Sequence, residues 1–432
     1  MAIERSTRPA ARFLEGAVRV TAMQGEEYDP REAITFVELV DAAHVEEALL
    51  SSFVADEEWL LRQFRPDTRL TLVCNPARNI GGDLLTPAPI VRAGRLTRVE
   101  PEFPKPKWQI MHTKLMLLFY AHHMRFVVTS ANLEPGDWAV MQNCVFVQDF
   151  PMDRHAVFAA NEFGLSLAYA LHDMHVPFSI VAQLNNVDFS AARARIVTSV
   201  PTGGRRHNMN MERYGMERLA SVVADSAAGS SDGGFEPSAR LFCVGSSLGA
   251  MDIPWMRDFY LCAHGIEPSG LSLSARAHLV PDDIIDIGVG FHTQDDVARC
   301  MFGAECGSRL MLPSHMYGAA DFPQSSLCRV VPRVDGSLVH AKLIAARFGV
   351  DQRNGWVYIG SHNFTPAAWG RLRVGHATYY NNYELGVVLP HAEYTRMTTD
   401  EASVAWNGLR LPLPVKLVWQ PYARDDVPFC SS

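Results

Sequence analysis

The frame His112-Thr-Lys114 recurs as His340-Ala-Lys342, and each copy leads into the same downstream pattern. The first reads Ser130-Ala-Asn132-Leu-Glu-Pro135-Gly-Asp137-Trp138 and the second Ser361-His-Asn363-Phe-Thr365-Pro366-Ala-Ala-Trp369. Lysine and asparagine are 18 residues apart in one copy and 21 in the other, a difference that fits an insertion in one hairpin turn. Only five lysines occur in the chain, and two of them occupy this frame. Self-similarity at so long a period points to two related half-domains and not to a solenoid. A chain of 432 residues is long enough for both halves and a large core.

Residues 34–64 carry apolar positions at mixed three- and four-residue spacing and read as helical. Residues 70–74 read as a short strand between Pro66 and Pro76, followed by a Gly/Pro-rich loop over 76–107. The runs 115–120, 125–130 and 143–147 read as adjacent strands, and 152–172 as a helix. A seam falls around 185–195 before a fresh strand at 194–200, so the expected halves are 1–190 and 191–432. Residues 227–234, rich in Ser and Gly, read as a surface loop. Segments 338–345, 356–360 and 383–389 repeat the strand-hairpin-strand order of the first half. Interleaved strands and helices predict an α/β fold with helices covering a mixed sheet in each half.

Hydrophobic residues make up 48% of the chain and its mean hydropathy is near zero, as expected of a soluble globular protein. No apolar run is long enough to span a bilayer, and no apolar stretch follows the N-terminal arginines to make a secretion signal. The eight cysteines are scattered without a C-x-x-C pair, which suggests reduced thiols inside a cell. Zinc-site spacing is lacking, so neither a metal nor another cofactor is expected. A net charge of −8 argues against bulk coating of nucleic acid but leaves room for a local basic groove.

A duplicated His, Lys and Asn set suits phosphoryl transfer at a pseudo-two-fold site. Two lysines can neutralise nonbridging phosphate oxygens, and two amides can donate to them. One histidine can attack phosphorus while the other protonates the leaving oxygen and then activates water. On a strand, His-x-Lys aims both side chains at one face. Symmetry leaves open which histidine attacks. Ser130 and Ser361 hold equivalent places, able to donate to phosphate or to brace the turn. Aligning the repeats sets Asn143 opposite Glu384, and Asp137 opposite Ala368; Asp137 reads equally as a loop brace or a helix cap. Trp138 and Trp369 read as core anchors.

The paired H-x-K and S-x-N frame resembles the phospholipase D superfamily. That motif usually has an acid five positions after the lysine, where this chain has Phe119 and Arg347. Lacking the acid, and with Thr129-Ser-Ala-Asn132, Gly360-Ser-His-Asn363-Phe-Thr-Pro366 and Tyr383-Glu384-Leu-Gly386, it resembles the type 1 tyrosyl-DNA phosphodiesterase family. Further likeness lies in Asp56-Glu-Glu-Trp59, Val244-Gly-Ser246-Ser247-Leu-Gly249 and Trp419-Gln-Pro-Tyr422, so it covers nearly the whole chain. The resemblance implies two pseudo-symmetric phospholipase D-like α/β/α sandwich halves, and a chain that starts almost at its catalytic core.

It also implies His112 as nucleophile, His340 as general acid and base, and Lys114, Lys342, Asn132 and Asn363 as phosphate clamp. Glu384 would hold a catalytic imidazole in its tautomer. Trp108, beside Lys105 and Lys107, would stack on a DNA base. Ser246 and Ser247 in their Gly-flanked turn, with Ser130, Asn143, Ser361 and Thr365, complete the expected substrate contacts. Arg205 and Arg206 read as DNA contacts or as solvated charges. The expected activity is metal-independent DNA repair in the nucleus by a monomer. It hydrolyses the 3′-phosphotyrosyl bond left by a stalled topoisomerase I, and other 3′ adducts, to a 3′-phosphate. The partner is then a DNA 3′ end carrying a tyrosyl peptide, with no membrane. The alternatives are a lipid hydrolase or transferase with the same two-histidine chemistry, and a silent nucleic-acid-binding scaffold.

Overall fold

In the strand Leu115–Phe119 every side chain is buried, and alternate residues serve different cores. Leu115, Leu117 and Phe119 face one apolar cluster while Met116 and Leu118 face another. A strand covered on both sides shows no polar alternation, which is why this run is continuously apolar in sequence. The computed structural model describes residues 11–76, 90–105, 107–202, 214–227, 239–349, 352–373, 376–396 and 402–431.

Two mixed sheets share one strand order. In the first, Ala17–Thr21, Cys144–Pro151, His123–Thr129, Leu115–Phe119, Glu47–Ser51, Arg69–Val73 and Leu96–Val99 lie side by side. In the second the sequence is Arg195–Ser199, Asn382–Arg396, Asn354–Gly360, Leu343–Phe348, Arg240–Val244, Ile287–Phe291 and Leu327–Arg329. Each runs through four antiparallel pairings and then two parallel ones. The unequal Lys-to-Asn spacing lies in the second hairpin, where both the strand after Lys342 and the turn after Phe348 are longer.

The two sheets meet face to face. Phe126, Val128 and Phe146 of one share a core with Val357, Ile359 and Val387 of the other, and the helix Glu162–Asp173 inserts Phe163, Leu167 and Leu171 beside them. Outside, Phe36–Val40 and Glu57–Gln63 cover the first sheet, while Gly215–Ala227 and Ile253–Ala263 cover the second. Helices on the outer faces and sheets within explain why the middle strands are the most apolar parts of the chain.

Several local expectations change. Residues 34–64 form two short helices with the strand Glu47–Ser51 between them, not one helix. That strand packs Leu49 inward and Ala48 and Leu50 outward, so both of its faces are apolar and its period is hidden. The 76–107 loop contains the hairpin Ile90–Ala93 and Leu96–Val99, turned by Gly94 at φ 61°. In 152–172 only Glu162–Asp173 is α-helical, started by Asn161, whose side chain accepts from Phe163 N and Gly164 N. The 227–234 loop falls almost wholly outside the described residues, as do Arg205 and Arg206. Among the described residues no helix is long and apolar enough to cross a membrane, and all eight cysteines are free.

Candidate active site

Each His-x-Lys lies where the chain crosses from one half to the other. Ile110–Met111 pairs in parallel with Asn382–Arg396 of the second sheet, and the chain then enters Leu115–Phe119 of the first. Conversely, Leu338–Val339 pairs with Met141–Gln142 before Leu343–Phe348 joins the second sheet. The motifs therefore occupy extended links ahead of strands, not the strands themselves. His112 N donates to Tyr383 O at 3.0 Å and His340 N to Gln142 O at 2.9 Å, so each motif is anchored on the opposite half.

His112, His340, Asn132 and Asn363 line one cavity of about 760 Å³. His112 Nδ1 lies 2.9 Å from Glu384 Oε2, and that carboxylate also accepts from Asn382 Nδ2 at 2.9 Å and from Ser361 Oγ. With its Nδ1–H on Glu384, His112 keeps the Nε2 lone pair free for the cavity. His340 Nδ1 lies 3.2 Å from Asp137 Oδ2 and 3.2 Å from Asn143 Oδ1, both from the first half. Each imidazole is thus oriented by a carboxylate of the other half. For His112 that partner is the expected Glu384. Asp137 is a partner the sequence did not reveal, although its mismatch with Ala368 marked the place.

Both lysines are buried beneath the histidines. Lys114 Nζ donates to His112 O at 3.0 Å, and Lys342 Nζ to His340 O at 2.6 Å and to His340 Nε2 at 2.9 Å. The amides are fixed in matching ways by the loops after equivalent strands. Asn363 Oδ1 accepts from the backbone of Ser246 and Ser247, each at 3.0 Å, and Asn132 Oδ1 from Val54 N at 3.4 Å. Holding the oxygen in this way leaves each amide NH2 as the free donor end.

The remaining expected residues divide. Ser246, Ser247 and Thr365 line the cavity, although Thr365 Oγ1 also accepts from Ala368 N at 3.2 Å as a helix cap. Ser130, Ser361 and Asn143 are fully buried and do not line it. Ser130 Oγ donates to Asn143 Oδ1 at 2.8 Å and accepts from Cys144 N at 3.0 Å; Ser361 Oγ donates to Glu384 and accepts from Leu385 N at 3.0 Å. Trp108 is 66% exposed outside the cavity, with Lys107 Nζ 5.4 Å from its ring centroid. Trp138 and Trp369 are buried. Phe53, unforeseen in the sequence, lines the cavity with its ring 5.4 Å from that of His112. Among the described residues no group of His, Cys, Asp and Glu is placed to hold a metal ion.

Burial sets the electrostatics. It pushes His112 and His340 down to about 4, against the pull of Glu384 and Asp137, and so keeps both rings neutral. It also lowers Lys114 to about 8 and Lys342 well below the usual lysine range, where Lys114 adds like-charge repulsion. Burial alone would raise the two carboxyls, but the facing histidines and lysines outweigh it. Glu384 is held at about 2 and Asp137 below the usual aspartate range. The two lysines spend their hydrogen bonds on neutral acceptors while the two buried carboxylates bond the histidines, and with the two amide donors this leaves a set of groups able to bind an anion.

The sequence model of the tyrosyl-DNA phosphodiesterase family matches residues 17–423. Tyrosyl-DNA phosphodiesterase 1 of Arabidopsis thaliana is 24% identical over 88% of this chain and 68% of its own length. Its Drosophila melanogaster counterpart is 24% identical over 92% and 70%. A crystal structure of the yeast tyrosyl-DNA phosphodiesterase superposes with a TM-score of 0.71 at 17% identity, covering 96% of this chain and all of that one, which shows a common fold. The chain belongs to the tyrosyl-DNA phosphodiesterase family of phosphodiester hydrolases.

Proposed function

We propose that this protein releases tyrosyl peptides from DNA 3′ ends, the residue of a stalled topoisomerase I, together with other 3′ blocking adducts, and leaves a 3′-phosphate. The observation that carries this reading is the pair of buried imidazoles, each on a carboxylate of the other half, above two buried lysines. His112 Nε2 attacks phosphorus, a P–N bond forms, and the P–O bond to tyrosine breaks with its electron pair on the phenol oxygen. Once the anionic phosphate draws Lys342 away from it, His340 takes a proton from solvent at the freed Nε2 and gives that proton to the leaving oxygen. Neutral again, it accepts a proton from water, whose oxygen attacks phosphorus while the P–N bond breaks and its pair returns to Nε2. Lys114, Lys342, Asn132 and Asn363 hold the nonbridging oxygens throughout.

Ser130 and Ser361 act here as braces behind Asn143 and Glu384, not as the phosphate contacts first expected of them. Trp108 and Lys107 offer a stacking platform with a cation for a DNA end. By its family resemblance the protein acts as a monomer in the nucleus. The test is incubation with a 3′-phosphotyrosyl oligonucleotide in EDTA, where tyrosine release is expected and His112→Ala abolishes it. No cleavage, or choline release from phosphatidylcholine in its place, overturns the reading.

A further inference from the structure

The two histidines are oriented by carboxylates in unlike company. Around Glu384 the donors besides His112 are uncharged: Ser361 Oγ and Asn382 Nδ2. Asp137 instead meets a guanidinium. Arg309, at the end of the short 3-10 helix Ala304–Arg309 of the second half, places Nε 2.9 Å from Asp137 Oδ1 and 3.2 Å from Glu134 Oε1. The other oxygen of Asp137 accepts from Asn132 N at 2.6 Å and lies 3.2 Å from His340 Nδ1. One carboxylate is therefore shared between an arginine and a histidine. The helix Pro135–Ala139 makes room for this approach, since a Cβ on Gly136 would lie 2.3 Å from Arg309 Nη2.

We infer that Arg309 is a positioning residue that acts through Asp137 to keep His340 able to release its proton. The inference rests on the proposed function and adds to it a reason for the unequal roles. A phosphorylated His112 gains from an anion that no guanidinium bonds, because the ring stays cationic while the P–N bond lasts. His340 must take up and release one proton per turnover, so an anion half-neutralised by arginine suits it better. The other charged groups around His340 are Lys342 and Lys114 beneath it and Asp137 beside it. Asp137 in turn faces His340, Lys342 and Arg309, with Glu134 bonded to the same guanidinium. Arg309 also has Cys306 near it on its own helix.

The sign of the effect follows. Removing the guanidinium strengthens the hold of Asp137 on a protonated His340, so breakdown of the phosphohistidine needs a higher pH. Removing Glu134 does the opposite, because it deletes an anion and leaves Arg309 wholly to Asp137. The experiment measures kcat and KM against pH on a 3′-phosphotyrosyl oligonucleotide for the parent, Arg309→Gln, Arg309→Lys and Glu134→Gln. The acid limb of kcat is expected to rise by on the order of half to one pH unit in Arg309→Gln. It should return most of the way in Arg309→Lys and move down in Glu134→Gln, with KM within about twofold throughout. Opposite shifts from neighbouring variants would not come from loosened packing. Unmoved limbs overturn the inference, as does a change confined to KM that vanishes at high salt, which would make Arg309 a direct DNA contact. A parent that cleaves nothing sinks the proposed function as well. A cleaving parent whose variants keep its profile sinks this inference alone.

Discussion

Replacing Glu384 by glutamine keeps the shape of the site and removes one buried charge. The carboxylate is 1% exposed and lies 2.9 Å from His112 Nδ1. On the proposed mechanism the ring becomes cationic in the transition state of phosphoryl transfer to Nε2. Unit charges about 4 Å apart attract by roughly 4 kcal/mol at an effective dielectric of about 20. Glutamine still accepts one hydrogen bond, which retains about 1 kcal/mol. Glu384 also supports the charge on Lys114, and that support is lost too. The net loss of about 2–4 kcal/mol is a fall of roughly 30- to 1000-fold in the rate of the first step. Rapid-quench single turnover at saturating 3′-phosphotyrosyl oligonucleotide measures it, and no covalent adduct should build up because formation is the slowed step. Asp137→Asn should do the reverse, slowing breakdown so that the protein–DNA adduct accumulates. A Glu384→Gln rate within threefold of the parent refutes the electrostatic argument. Adduct accumulation in Glu384→Gln and not in Asp137→Asn would exchange the roles of the two histidines.

Trp108→Ala should raise KM for single-stranded oligonucleotides about tenfold and leave kcat unchanged, given that stacking contributes roughly 1–3 kcal/mol per base; an unchanged KM makes the exposed ring irrelevant to DNA. Ser361→Ala removes a donor to Glu384 and leaves Leu385 N without its acceptor, so stability should fall by about 1–3 kcal/mol in urea unfolding. Its first-step rate should fall less than in Glu384→Gln; an equal or larger fall would give the hydroxyl a direct part in chemistry. Acid should destabilise the fold well before carboxylates titrate. His112, His340 and His362 are each lowered by burial from 6.5 to about 4, so the unfolded chain binds more protons throughout that window. Their contribution is complete above pH 6.5 and fades toward pH 4, about 2 kcal/mol for each between pH 6.5 and 5. Urea midpoints that stay flat from pH 7.5 to 5 would show that these rings are not buried neutral.

Chemistry was more legible in the sequence than topology. His112, Lys114, His340 and Lys342 stand out because lysine is scarce, and the repeated tails showed which asparagines belong with them. Apolar runs such as Leu115–Phe119 gave away their strands by length alone. Glu47–Ser51 was hidden because its two faces feed different cores, so its side chains offer no alternation to read. Ser130 and Ser361 were rightly paired with each other, yet spacing carries nothing about which way a hydroxyl points. Burial decides that, and it turns both toward the residues that hold the histidines.

Long-range partners were the least legible part, and the crossing of the chain between halves explains why. Asp137 and His340 are brought together by the parallel pairing of Met141–Gln142 with Leu338–Val339, a contact with no local periodicity. The equivalent pairing of Ile110–Met111 with Asn382–Arg396 brings Glu384 to His112. Either half alone would carry a histidine, a lysine and an amide, but no carboxylate behind its imidazole. Duplication supplied two matched sets of lysine and amide. Exchange of the carboxylates between halves ties the site to their packing, and on the proposed mechanism the differing surroundings of Glu384 and Asp137 let one ring hold phosphorus while the other moves a proton.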